Sequence, residues 1–366
     1  RTSTATRINS SGLVSNVATG VPRISYDSNG DNGHILLEPQ RTNEITQNNQ
    51  FDTTWIATNL DLTSGQNGIY NTTDAWLLNA TDTLANVTIS VSTTGESTYS
   101  VYAKAGSEDG IFIRFDGGGN PRAFFNLTNG TLINETNTTN TNVDDVGNGW
   151  YRCSITGSAT ITSARIYVAD SSGSFVSSGN IYVQYAQLEN GSYPTSIIPT
   201  YGSTETRATE TATGAGSADL INSTEGVLYA EIASLTSDVD SEARIVLAAS
   251  GDTNNSLRLY YNTTQDTIEY KCRVSSSNVC DITYDLGDST QFHKIACKWK
   301  QNDFALWVDG VEVGTDSSGS TFSADTLNVL NFSNATTLSD FFYGKCKALA
   351  VFNEALSDSE LTQLTT

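Results

Sequence analysis

The chain has 366 residues, of which 40 are acidic and 19 basic, for a formal net charge of −21. That balance argues against nucleic acid and anionic membranes as partners, because binding there depends on Lys and Arg neutralising phosphate. No apolar run approaches the roughly 18 residues of a spanning helix, so no membrane insertion is expected. Charged residues make up only 16 % of the chain, and Ser, Thr, Asn and Gly fill the polar positions instead. Such a surface suits a long-lived extracellular protein better than a cytosolic enzyme. The length predicts two or three domains, each with its own core. The chain opens at Arg1, without a signal peptide, and holds no Met, which reads as a processed product or an excerpt of something longer.

Residues 1–45 read as an irregular leader. Its short segments, Arg1-Thr2-Ser3-Thr4-Ala5-Thr6-Arg7, Val21-Pro22-Arg23-Ile24-Ser25-Tyr26-Asp27 and Leu36-Leu37-Glu38-Pro39-Gln40-Arg41-Thr42-Asn43, are broken too often by turn residues for a helix. Residues 46–200 alternate apolar and polar positions in many short runs, among them Val87–Val91, Tyr99–Ala103, Ile111–Phe115, Ala123–Leu127, Trp150–Ile155, Ala164–Val168 and Ile181–Tyr185. Gly, Asn, Asp and Ser clusters separate them, as in a sandwich or jelly roll. Residues 201–225, rich in Thr, Ser, Gly and Ala, read as a linker. Residues 226–366 read as a second sandwich, starting with Val227–Ile232, Arg244–Leu247 and Leu257–Tyr261.

The last 75 or so residues carry the clearest local signals. Asp309-Gly310, between two alternating apolar runs, predicts a tight hairpin, because a type I′ turn needs positive φ at both central residues. Ser357 and Glu360 have the spacing of a capping box and predict one short terminal helix. The fold class expected is all-β: two β-sandwiches after an irregular leader, with almost no helix before Ser357.

Phe292-His293-Lys294-Ile295-Ala296, Leu306-Trp307-Val308-Asp309-Gly310 and Ala355-Leu356-Ser357 with Glu360 resemble the laminin-G-like, concanavalin-A-type sandwich. That fold usually binds or displays and rarely catalyses. Tyr99–Gly106 and Gly149-Trp150-Tyr151-Arg152 resemble carbohydrate-binding jelly rolls. The leader segments, with the closing Gln187–Thr200, resemble bacteriophage virion appendage proteins of the tail- or head-fibre type, although Ile197 stands where Tyr is usual. Together these resemblances imply a non-enzymatic structural protein on a virion surface, displaying modules for a cell-surface polysaccharide of the host. They imply other virion proteins as partners and a closed homo-oligomer, a trimer for a fibre. The leader is then the segment expected to wrap a neighbour or anchor to the particle. A polysaccharide depolymerase or lyase on the same architecture, and a decoration protein without ligand, are the alternatives.

No catalytic constellation stands out. His34 and His293 are the only histidines, neither of them in a catalytic pattern, and no G-x-S-x-G elbow occurs. Forty acids make chance carboxylate pairs easy to find, so a glycosidase pair cannot be singled out. No metal site and no cofactor are expected. Asp27-Ser28-Asn29-Gly30-Asp31 lacks the distal Glu of an EF-hand; the laminin-G-like resemblance leaves calcium open without assigning it a residue. Five cysteines cannot all pair internally. Cys297 reads as a small buried residue, and Cys272 and Cys280 flank a turn across which they could pair.

Sugar rings stack on aromatic faces while polar side chains bond the hydroxyls. Tyr70 and Trp76, in a polar segment with Gly68, Asn71 and Asp74, are therefore the ligand-binding candidates of the first sandwich. Tyr260, Tyr261 and Tyr270 are those of the second, with only one of the adjacent pair Tyr260 and Tyr261 expected to face inward. The competing reading, and the favoured one, is that Trp76 caps the jelly-roll core. The Asn-x-Ser/Thr sequons at Asn71, Asn79, Asn86, Asn126 and Asn134 are expected by chance in so Asn- and Thr-rich a chain.

Overall fold

A computed structural model describes residues 1–69, 72–237, 243–248, 252–334 and 340–366. Among them the chain is almost wholly β, with one helix, Asp358–Thr365. It divides into two compact units. The first comprises Arg1–Asp31 and Gln40–Ala208, the second Asn32–Pro39 and Thr209–Thr366.

The first unit is organised by two 20-residue strands, Asn86–Ala105 and Trp150–Ala169, which pair antiparallel along their length. Their two ends have different neighbours. Gly110–Asp116 lies beside the Ser163–Ala169 end, followed by Arg122–Asn126 and Thr131–Thr136. Asn140–Asp145 lies beside the Tyr151–Thr156 end. Gly179–Asn190, Ala75–Ala80 and Leu60–Gln66 follow on from the Ser97–Ala105 end. A register shift between Ile161 and Ser163 separates the two halves, and there the inward-facing parity changes from Cys153 and Ile155 to Ala164, Ile166 and Val168. A bulge does this by adding one residue to one strand. One core results, containing Val87, Tyr99, Val101, Ile113, Phe115, Phe125, Ile166 and Leu188.

The leader is more ordered than its sequence suggests. Ala5–Ile8 and Val14–Val17 form a two-stranded sheet. Ile8, Leu13 and Val14 pack with Tyr102, Trp150, Ile197 and Tyr185 in a second apolar cluster of the same unit. His34–Leu37 instead joins the second unit, pairing with Gly344–Cys346. The expected linker is divided too: Glu205–Arg207 pairs with Arg41–Asn43 in the first unit, while Ala215 bridges to Leu330 in the second. Turn residues between them hid the first pair, and the other strands were hidden because their partners lie far away in sequence.

The residues of the leader and closing motifs meet. Thr6 Oγ1 donates to the Ile197 carbonyl at 2.6 Å. Arg23 and Arg207, both buried, donate to Ser196 Oγ at 2.7 and 2.9 Å. Asn43 donates Nδ2 to the Ile198 carbonyl and accepts at Oδ1 from the amides of Ile45 and Leu188. Gln187 accepts from the Ile198 amide, and buried Glu189 accepts from the Thr195 amide and hydroxyl.

In the second unit six strands run in the order Val311–Asp316, Phe304–Val308, His293–Lys300, Glu225–Ser234, Gly344–Phe352, His34–Leu37. The other layer runs Ser277–Asp285, Thr267–Val274, Ser256–Tyr261, Ala243–Ala248, Val329–Asn331. Leu228, Ile295, Trp299 and Leu306 share a core with Leu257, Leu259, Ile268 and Tyr270. The hairpin falls where expected, with Asp309 at φ 48° and Gly310 at φ 84° and Val308 opposite Val311. Asp309 also accepts from the Lys294 amide and from His293 Nδ1, so His293 belongs to the hairpin. Glu360 accepts from the Ser357 amide at 2.8 Å, and Leu361 of the helix it caps packs on Tyr229 and Trp307. Cys272 and Cys280 stand opposite each other across two strands as free, buried thiols; burial pushes Cys280 up to about 12. Cys297 is buried as expected.

Asn43→Ala would leave three buried backbone groups unpaired, at roughly 1–3 kcal/mol each before relaxation. We expect a melting temperature lower by at least about 5 °C; unchanged melting would show that the motif network contributes nothing. Deleting residues 1–45 removes parts of both units and is expected to unfold them, as read by near-ultraviolet circular dichroism.

Candidate functional site

The aromatic residues singled out in the sequence do not make an exposed patch. Tyr70 lies outside the described residues. Trp76 is 7 % exposed and sits in the first core, edge-on to Phe51, with its indole N–H bonded to the Asn49 carbonyl at 3.0 Å. Tyr261 and Tyr270 are buried in the second core, and Tyr270 donates to the Lys298 carbonyl. Tyr260 does not join that core, as expected for adjacent strand positions, yet it is buried as well. On the other face of its strand it lies beneath Lys271, whose ammonium is 5.7 Å from the ring centroid and 3.0 Å from the phenol oxygen. The physical reason is that neighbours from the turn before Trp76 and from strands beside the tyrosines pack over them.

A cleft of about 470 Å³ opens instead within the first unit, next to Trp76. One wall is the leader strand, at Val14, Ser15 and Asn16. The other carries Asn48, Asn49, Asp74, Tyr185 and Tyr201. Its centre is the Asp74 carboxylate. Oδ1 accepts from Gln184 Nε2 at 2.6 Å, and Oδ2 accepts from Asn49 Nδ2 and from the Tyr185 hydroxyl, both at 2.9 Å. Three side chains from two segments thus aim one solvent-exposed anion. A carboxylate has about four acceptor positions, so Asp74 can still receive a ligand hydroxyl.

Tyr185 is held by the backbone as well. It lies within the register shift between Gln184 and Gln187 and has φ 46°, a left-handed conformation that costs an aromatic residue about 1–3 kcal/mol. Asn49 Oδ1 accepts its amide at 3.1 Å. Burial first, and then the Asp74 charge, push its phenol well above the ordinary tyrosine value, so it remains a donor.

Asn48 is 2 % exposed. Its Oδ1 accepts from the Thr200 amide at 3.1 Å, which fixes the orientation of the side-chain amide. Its Nδ2 is buried with no hydrogen-bond partner among the described residues. An orphaned buried donor is costly, and this one belongs to a residue lining the cleft. At the rim Tyr201 is 82 % exposed, a free aromatic face.

Sequence reasoning reached this region through Asp74 and Trp76 but missed Asn48, Tyr185 and Tyr201. Tyr201 had a signal, an aromatic residue between Thr200 and Gly202 in a polar stretch. Nothing local marked Asn48 or the bulge at Tyr185. Among the described residues no group of three His, Cys, Asp or Glu side chains could hold a metal ion, and no helix is long and apolar enough to cross a membrane.

Residues 234–362 match a family described as the Concanavalin A-like lectin/glucanases superfamily, about a third of the chain. No curated protein matches the chain. Among solved structures, the sialidase CBM40 module of Ruminococcus gnavus bound to α2,3-sialyllactose is 15 % identical with a TM-score of 0.35, covering 42 % of this chain and 94 % of its own. The pentraxin of Limulus polyphemus is 14 % identical with a TM-score of 0.34, covering 42 % and 74 %. Mouse laminin α1 domains LG4-5 are 12 % identical with a TM-score of 0.27, covering 75 % and 89 %.

If Trp76 is core rather than ligand platform, Trp76→Ala should cost about 3–5 kcal/mol. Thermal denaturation reads this directly; an unshifted melting curve would return Trp76 to the binding surface.

Proposed function

We propose that this protein is a non-enzymatic glycan-binding protein whose first unit holds a saccharide in the Asp74–Tyr185–Tyr201 cleft. One observation carries the reading: the lining of a single recess includes Asn48, whose buried amide nitrogen is orphaned, an oriented acceptor, Asp74, and an exposed aromatic face, Tyr201. A hydroxyl-bearing ring answers all three, since each hydroxyl both donates and accepts and the ring's C–H face stacks on an aromatic. The volume falls within the about 300–1,000 Å³ usual for ligand sites. Among the described residues the lining offers one carboxylate and no His, Lys or Arg, which supports binding over two-carboxylate hydrolysis. The match of residues 234–362 to a lectin-containing superfamily supports the same class. The leader and closing motifs support the finer reading of a virion-surface appendage assembled as a homotrimer with other virion proteins.

A panel of neutral oligosaccharides titrated calorimetrically tests the cleft. Asn48→Ala and Asp74→Ala should each weaken binding about tenfold, from loss of one hydrogen bond to a largely desolvated partner. Tyr201→Ala should weaken it with melting unchanged, since its ring is exposed. Full affinity in all three variants, or release of new reducing ends, would overturn the proposal. The raised Tyr185 value also sets a pH expectation. A phenol held above its unfolded value contributes fully below that value, near 10, and loses its contribution only as pH climbs through the folded one. Affinity should therefore stay level between about pH 7 and 10.

A further inference from the structure

A second feature of the first unit lies on the strands Gly110–Asp116, Arg122–Asn126 and Trp150–Ala169, none of whose arginines lines the cleft. Arg122, Arg114 and Arg165 stand directly opposite one another on three adjacent strands: Arg114 pairs with Arg122 on one side and with Arg165 on the other. Directly paired residues share a face of the sheet. That face is the outer one, because the alternate residues Ile113 and Phe115 fill the core. The row continues on both sides without charge, through Thr136 opposite Arg122 and Thr88 opposite Arg165. Strands lie about 5 Å apart, so the three guanidinium groups form a strip about 10 Å long.

Like charges placed directly opposite destabilise a sheet. One carboxylate relieves part of this. Asp116 accepts from Arg114 Nε and Nη2 through one oxygen, and from Arg165 Nε and the Ser163 hydroxyl through the other. That arrangement accounts for Arg114 and Arg165 but not for Arg122, whose guanidinium meets the Asn120 carbonyl at 3.1 Å and no carboxylate among the described residues. Three cations and one anion leave a local surplus of positive charge in a chain of net −21. The side chains of Arg114 and Arg165 keep 28 % and 33 % of their surface exposed. Guanidinium forks match planar oxyanions in pairs, and a row in register matches anions repeated along a chain.

We propose that the Arg122–Arg114–Arg165 strip binds the anionic groups of an acidic saccharide, as a site separate from the cleft. Carboxylate and sulfate share the required chemistry, so short oligogalacturonate and a sulfated oligosaccharide are titrated in parallel, with a neutral dextran fragment of equal length as control. At least one acidic probe should bind the full chain. Arg122→Gln, which leaves the Asp116 clamp intact, should weaken that binding about fivefold with melting unchanged. Asp116→Asn should strengthen it in protein that still melts as a folded domain. Asn48→Ala should leave it unaffected, so failure of the cleft reading and failure of this one are told apart. Absence of binding by both acidic probes would overturn the proposal, as would equal binding of dextran, an acidic peptide displacing the saccharide, or full affinity in Arg122→Gln.

Discussion

The closing segment Thr195–Thr200 is the constraint on which the first unit depends. It has no strand partner of its own, so side chains satisfy its backbone: Thr6, Asn43, Asn48, Arg152 and Gln187 each bond one of its amides or carbonyls. Buried backbone groups must find partners, and here they find them in the leader, in the first residues of the jelly roll and in its last strand. Residues nearly two hundred positions apart are thereby fixed to one another. The same bonds bring the leader strand against the sheet and leave the cleft between them, since Thr6, Asn48, Ile197, Pro199 and Thr200 all line it.

This explains why motifs that resemble virion appendages carry no ligand chemistry themselves. Arg23 and Arg207 are buried in the clamp on half-buried Ser196, and Glu189 is buried with them against the Thr195 backbone. They lie behind a recess whose polar lining includes Asn48, Asn49 and Asp74. The strained Tyr185 belongs to the same arrangement. Its left-handed backbone is held by Asn49 and its hydroxyl by Asp74, so the cost of the bulge is offset by groups that also shape the cleft.

The acidic composition acts differently on the two surfaces. In the cleft the single charge is negative and is held by neutral donors, an arrangement suited to hydroxyls. On the outer face of the long-stranded sheet Arg114 and Arg165 share one aspartate, and Arg122 beside them meets no carboxylate among the described residues. Local charge, set by which strands become neighbours, therefore departs from the sign of the whole chain.

Much of the fold was legible in the sequence because its signals are local. Period-two alternation marked the strands, Asp309-Gly310 marked the hairpin through its need for positive φ, and Ser357 with Glu360 marked the helix. Burial of Cys297 followed from its place between Ile295 and Trp299. What the sequence could not show was pairing at a distance. The packing of the leader on Ile197 and Trp150, the joining of His34–Leu37 to the second sandwich and the placing of Arg165 beside Arg114 all depend on residues remote in the chain. The aromatic residues failed as site markers for the same reason: whether Trp76 or Tyr260 is exposed depends on what packs over it, and that cover comes from Phe51 and Lys271. Asn48 became a candidate only when folding buried its amide without a partner. Sequence thus determined the elements and their faces, through steric preference and hydrophobic period; tertiary structure alone decided the site, because burial and unmet hydrogen bonds are properties of neighbours.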